Sequence, residues 1–242
     1  SIMRLTTFQM FLPNDVPSQI REGNPAYGRE PKTLFLLHGY SGFYKDWALG
    51  SLAHEMAMKY NLAVVMPSGD NSFYVDGKGI GHSYARYVGS ELVDYVRATF
   101  GLATEERDTF ICGFSMGGFG AIHLGMQYPQ NFGKIAALSA AMIVDDISEL
   151  KPGERDAIAD YDYYTSVFGE LSELKKSKNN PEYQIKLRKQ NQECIQPIFM
   201  ACGTQDYLLR HNRKFYEFLV GEGVDVTYRE SPGSHDWTFW NE

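Results

Sequence analysis

The chain has 242 residues, 43% of them apolar and 22% charged, the composition of a soluble globular domain with one large core. A formal charge of −7 and a pI near 5.4 argue against a nucleic-acid or anionic-membrane surface, because neutralising phosphates takes clustered Lys and Arg. No run approaches the ~18 apolar residues of a membrane span, and residues 1–12 lack a basic segment followed by a long apolar stretch, so no retained signal or anchor is expected.

In chain order, residues 5–12 read as an antiparallel edge strand. Short, mostly apolar runs at 34–37, 62–66, 109–112, 135–138, 198–202 and 224–228 read as strands covered on both faces. Longer segments with helical spacing lie between them. Tyr84, Tyr87, Val88, Leu92, Tyr95, Val96 and Thr99 place one apolar stripe on a helix that ends at Gly101, and a second helix is predicted over about 208–220. Strand and helix in alternation give an α/β class, with a mostly parallel central sheet flanked by helices and forming a single domain. Residues from about 141 to 196 break the rhythm and read as a largely helical cap insertion, at the strand ends where ligands of such sheets bind.

Cys112, Cys194 and Cys202 are odd in number and lack C-x-x-C spacing, so neither a disulfide framework nor a zinc site is indicated; a reducing, cytoplasmic setting is the simpler expectation. The basic cluster Lys175, Lys176 and Lys178 reads as a solvated helix end.

The chemistry centres on Gly113-Phe-Ser-Met-Gly117, which puts Ser115 between an apolar run and a helical pattern. A strand turning sharply into a helix holds the apical hydroxyl clear of its surroundings, and Gly113 and Gly117 let the two elements approach. A serine hydroxyl is nearly inert at neutral pH and needs a base and a group to orient that base. His235, in the turn-rich loop Ser231-Pro-Gly-Ser-His-Asp-Trp237, is the candidate base. His211 reads as a surface residue, His123 as helix packing, and His54 and His82 as polar surface. Asp206, three residues past Gly203, is the candidate acid at the carboxyl end of its strand, consistent with the chain order serine, acid, histidine. Negative charge growing on a carbonyl oxygen needs fixed donors. The N–H of Met116, at a helix start, and that of Tyr40, in the loop beginning His38-Gly39, are the candidates, with His38 as a structural residue of that loop.

The chain resembles the esterase D and tributyrin esterase group of α/β-hydrolases, itself similar to carbohydrate esterases that remove acetyl or feruloyl groups. The matching stretches are Leu36-Leu-His-Gly-Tyr-Ser-Gly42 with Trp47, Asn61-Leu-Ala-Val-Val-Met-Pro-Ser68 followed by Phe73-Tyr74, Gly113-Phe-Ser-Met-Gly-Gly-Phe-Gly120, Cys202-Gly-Thr-Gln-Asp206 and Gly233-Ser-His-Asp-Trp237. The resemblance implies the α/β-hydrolase fold, a triad of Ser115, Asp206 and His235, and an oxyanion hole of Tyr40 and Met116. It implies a serine carboxylesterase acting on short or aromatic acyl esters, with a small-molecule or carbohydrate-linked substrate and no metal or organic cofactor. The oxyanion loop departs from the Leu-Thr-Cys-Thr pattern of S-formylglutathione hydrolases. An S-formylglutathione hydrolase-like thioesterase or an acyltransferase is the related alternative, and a silent hydrolase fold used for binding is the alternative outside enzymes. Tyr74 and Trp237 are candidate substrate contacts. The sequence is compatible with a monomer or a homo-oligomer.

Overall fold

A computed structural model describes residues 1–242. Seven strands, β1 (Phe8–Phe11), β2 (Lys32–Leu37), β3 (Leu62–Pro67), β4 (Thr109–Phe114), β5 (Lys134–Leu138), β6 (Ile198–Gly203) and β7 (Val226–Ser231), form one sheet in the order β1-β3-β2-β4-β5-β6-β7. β1 runs antiparallel to β3 at the edge, and every other pairing is parallel. This is the mostly parallel, helix-flanked sheet of the α/β-hydrolase fold.

The helices that frame the sheet and the site are α1 (Ala53–Tyr60), α2 (Leu92–Phe100), α3 (Met116–Gln127), α4 (Val144–Ile147), α5 (Tyr161–Phe168), α6 (Leu171–Leu174), α7 (Pro181–Gln190), α8 (Leu209–Gly221) and α9 (Trp237–Trp240). Side chains alternate across a strand, so each strand feeds two cores. Phe35 and Leu37 of β2, Val65 of β3 and Ile111 of β4 join the large cluster under α2, α3 and α8. Leu36, Val64, Met66 and Phe114 point the other way, onto Trp47, Ala57 and the indoles of α9. Fully burying one such side chain contributes roughly 1.5 to 3 kcal/mol, which explains why these strands are apolar at consecutive positions.

The apolar stripe predicted before Gly101 is broken partway. Tyr84–Arg86 is α-helical, Tyr87–Glu91 forms a wider π turn, and α2 follows. The wider turn rotates the following residues relative to the regular period. Val93 is therefore buried beside Leu92 and Val96, while Tyr95, expected inside, is 50% exposed. Gly101 closes the helix at φ 67.

Between β5 and β6, the residues read as an insertion share the main core instead of forming their own. Ile147 of α4, Tyr164 and Phe168 of α5, and Leu171 and Leu174 of α6 all belong to the large cluster. The last helix, α7, packs on α3. It serves as the crossover helix that a parallel β5–β6 connection requires, and the stretch carrying α4, α5 and α6 lies between β5 and that helix.

His123 sits where α3 meets α7. It is fully buried, its ring stacked on Phe119, with Nδ1 accepting at 2.8 Å from Gln184 Nε2. Its Nε2 has no partner. Burial pushes its pKa down to about 3, and the Lys178 charge adds in the same direction. A histidine whose folded pKa lies below its unfolded value of 6.5 favours the folded state above 6.5, and that stability is lost as pH falls through the window toward 3. The loss approaches ~1.4 kcal/mol per pH unit inside the window. We expect His123→Gln, which stays neutral, to show a shallower fall of unfolding free energy between pH 6.5 and 4 than wild type; equal slopes would contradict a buried neutral histidine.

Candidate active site

Ser115 lies between β4 and α3 with φ 55 and ψ −121, a conformation that costs a non-glycine residue about 1 to 3 kcal/mol. The surrounding backbone enforces it. The Ser115 N–H donates to Leu138 O at 2.9 Å, extending the sheet ladder, and its carbonyl accepts from Phe119 and Ala141 N–H. A Cβ at Gly113 would stand 2.2 Å from Gly117 O, and one at Gly117 would stand 2.3 Å from Leu37 O. Strand β4, the start of α3 and the end of β2 thus meet at distances that admit no side chain, which sets the loop after β2 beside the first turn of α3.

That loop, His38 to Gly42, is braced from beneath. His38 is buried, and its Nε2 accepts from Gly69 N–H at 2.8 Å. Because that donor is a backbone amide, Nδ1 carries the proton, and it donates to Gly39 O at 2.8 Å. Burial lowers the His38 pKa, against the Gly39 hydrogen bond and the charges of Asp46 and Asp70, so the ring is a neutral strut. Trp47 Nε1 donates to Leu37 O at 3.0 Å, and the Tyr74 hydroxyl donates to His38 O at 3.1 Å. The N–H groups of Tyr40 and Met116 make no hydrogen bond within the protein.

Asp206 and His235 follow β6 and β7 on the other side of Ser115. The Asp206 carboxylate is fully buried; Oδ2 meets His235 Nδ1 at 2.8 Å and Oδ1 accepts from Leu208 N–H at 2.8 Å. Burial alone would raise this carboxyl. The hydrogen bonds from His235 and Leu208 N–H, with the His235 charge, outweigh burial and hold the pKa below the usual 3.8. The His235 ring hydrogen-bonds Asp206; in enzymes of serine-histidine chemistry the bond from serine to imidazole often forms fully only when substrate engages. Trp240 meets the imidazole edge-on with centroids 5.0 Å apart, and its Nε1 donates to Ser139 Oγ at 3.1 Å.

The sheet therefore gathers Ser115, Asp206, His235, Tyr40 and Met116 along its carboxyl edge. Tyr74 and Trp237 are elsewhere. Tyr74 is wholly buried against the backbone of Gly69 and Gly120, so it supports the loop and cannot touch substrate. Trp237 spends its indole on packing: it lies 5.3 Å from Trp47 and 4.8 Å from Phe114 on the far face of the sheet. His211, expected at the surface, hydrogen-bonds through Nε2 to Asp146 of α4 at 2.8 Å and is mostly covered. Apart from Trp240, the exposed aromatic residue that borders the site is Tyr207, 62% exposed, with its ring 4.6 Å from that of His235. Its position directly after the candidate acid was the available sequence signal. Cys112, Cys194 and Cys202 are unpaired. No helix is long and apolar enough to cross a membrane.

The "Putative esterase" family model matches residues 1–242. An acetyl esterase of Caldicellulosiruptor saccharolyticus is 41% identical over 237 residues, covering 98% of this chain and 89% of its own. Among solved structures, the fluorophosphonate-binding serine hydrolase F of Staphylococcus aureus, with substrate bound, matches at TM-score 0.82 and 30% identity, covering 98% of this chain and 88% of its own. An S-formylglutathione hydrolase of the same organism matches at TM-score 0.79 and 29% identity with the same coverage.

The strained apex yields a test independent of activity. Glycine at 115 relieves the backbone strain but costs ~0.5 to 1 kcal/mol of chain entropy, leaving a net gain of about 1 kcal/mol. Alanine relieves nothing. In calorimetry we expect Ser115→Gly to unfold about 2 to 4 °C above Ser115→Ala; equal midpoints would mean the elbow carries no strain.

Proposed function

The chain belongs to the "Putative esterase" family and is a serine hydrolase of carboxylic ester bonds; from that premise we propose how its residues divide the work. Ser115 attacks the ester carbonyl while His235 Nε2 takes its proton. Asp206 keeps the other ring nitrogen protonated and stabilises the imidazolium. The carbonyl oxygen gains negative charge and swings between the N–H groups of Tyr40 and Met116, where the amino end of α3 adds its dipole. The tetrahedral species collapses as His235 returns the proton to the leaving alcohol, giving acyl-Ser115 and free alcohol. Water then repeats the sequence, with His235 as base, and releases the acid. The observation that carries this reading is the 2.8 Å contact between Asp206 Oδ2 and His235 Nδ1, in the loops after β6 and β7, at the same sheet edge as a serine held at φ 55 after β4.

For substrate, we infer an acetyl or other short acyl ester of a small or carbohydrate-linked alcohol. The 41% identity to an acetyl esterase supports the acyl half. The exposed ring of Tyr207 against His235 supports the alcohol half: the leaving oxygen must come to His235 Nε2, and a flat aromatic face there suits a sugar ring. The S-formylglutathione hydrolase at 29% identity makes the corresponding thioester a second reading. Three unpaired cysteines fit a reducing, cytoplasmic setting.

The test is hydrolysis of p-nitrophenyl acetate and butyrate, acetylated xylan, methyl ferulate, tributyrin and S-formylglutathione by wild type and Ser115→Ala. We expect turnover of the short oxygen esters, with kcat lowered by up to ~10⁶ in the variant. Comparable turnover by both proteins would remove Ser115 from the mechanism, and activity confined to S-formylglutathione would overturn the substrate reading.

A further inference from the structure

An oxyanion donor works only if its N–H is held where the charge will form. The braces beneath the loop after β2 act on Leu37, His38 and Gly39. Tyr40 itself lies one residue beyond them, and Ser41 follows with φ 60, in the left-handed region. A side chain from outside the loop fixes this outer part: Asn71 Oδ1 accepts from Ser41 N–H at 2.7 Å.

Asn71 is in turn held by α5. The Tyr163 hydroxyl donates to the Asn71 carbonyl at 2.7 Å, and the Tyr163 ring meets that of Tyr40 edge-on, with centroids 5.7 Å apart at 85°. Tyr163 is anchored at its own end, because its N–H donates to Asp160 Oδ1 at 2.8 Å in the cap of α5. Burial and the neighbouring Tyr40 push its pKa well up, so the hydroxyl remains a donor across the working pH range. One tyrosine of the inserted segment thus reaches the loop by two routes, directly through the Tyr40 ring and indirectly through Asn71 and Ser41.

We propose that Tyr163 and Asn71 are positioning residues that aim the Tyr40 N–H, so that the inserted segment carrying α4 to α6 sets the strength of the oxyanion hole. The inference rests on the assignment of Tyr40 as an oxyanion donor. Neither residue touches the reacting atoms. Their loss leaves the nucleophile, base and acid in place and weakens an interaction made in the transition state, so it lowers kcat and spares KM.

Tyr163→Phe removes a single oxygen, and Asn71→Ala removes the acceptor for Ser41 N–H. Steady-state kinetics on p-nitrophenyl acetate, with thermal midpoints, are compared among wild type, both variants and the double variant. Removing an oxyanion donor outright costs ~10² to 10³ in rate, so misaiming it is expected to lower kcat about tenfold or more. KM should stay within about twofold, the inhibition constant of a trifluoromethyl ketone, whose hemiketal oxygen uses the same donors, should rise in parallel with the loss of kcat, and the double variant should fall short of the product of the single effects. Should Asn71→Ala fail to fold, Tyr163→Phe alone decides. A kcat near wild type in Tyr163→Phe, or a rise in KM at constant kcat, overturns the clamp. If wild-type turnover is lost in Ser115→Ala while Tyr163→Phe keeps full kcat, the clamp fails and the serine mechanism stands; turnover surviving in Ser115→Ala defeats the mechanism itself.

Discussion

The contact on which the rest of the molecule depends is the approach of α3 to β4 and to the end of β2, where Gly113 and Gly117 leave no room for a side chain. It forces Ser115 to φ 55, and it brings the first N–H of α3 next to the loop that starts at His38. Nucleophile strain and oxyanion donors are therefore one construction: a wider strand-to-helix turn would relax the serine and also carry Met116 away from Tyr40. Proteins retain such strain when the surrounding structure over-determines it. Here the Ser115 amide and carbonyl are both committed, to Leu138 on one side and to Phe119 and Ala141 on the other.

Sheet order then divides the chemistry in space. β4 is central, β2 on one side supplies the donor loop, and β6 and β7 on the other supply acid and base. The two halves are stiffened differently. The donor loop hangs on neutral hydrogen bonds from Trp47, Tyr74 and a neutral His38. The acid half buries a charge, which is tolerated only with partners, and Asp206 has them in His235 and Leu208 N–H. Trp240 holds its place beside His235 by donating to Ser139 Oγ.

How much was legible in the sequence follows the range of the interaction involved. Strands, the turn glycines and the loops bearing Ser115, Asp206 and His235 are local patterns, with turn chemistry next to an apolar run, and each lies at the strand end where it was expected. The antiparallel edge was legible for the same reason. The aromatic residues were not: ring identity says that a side chain is large and flat, not which way its backbone turns it, so Tyr74 and Trp237 read as pocket walls and are structural, while Tyr207 is the ring that stands exposed beside His235. The π turn before α2 shifted the buried face onto Val93 because periodicity presumes a regular helix. Asn71 and Tyr163 lie 92 residues apart, joined by a hydroxyl-to-carbonyl bond that no local pattern announces.

The most direct measurement is the crystal structure of the adduct formed with a fluorophosphonate, a mimic of the tetrahedral intermediate. The expected result is phosphorus bonded to Ser115 Oγ, with its phosphoryl oxygen ~2.7 to 3.1 Å from both the Tyr40 and the Met116 nitrogen. An adduct on another residue, or a phosphoryl oxygen turned away from both amides, would contradict a serine and an oxyanion hole built by the same backbone contact.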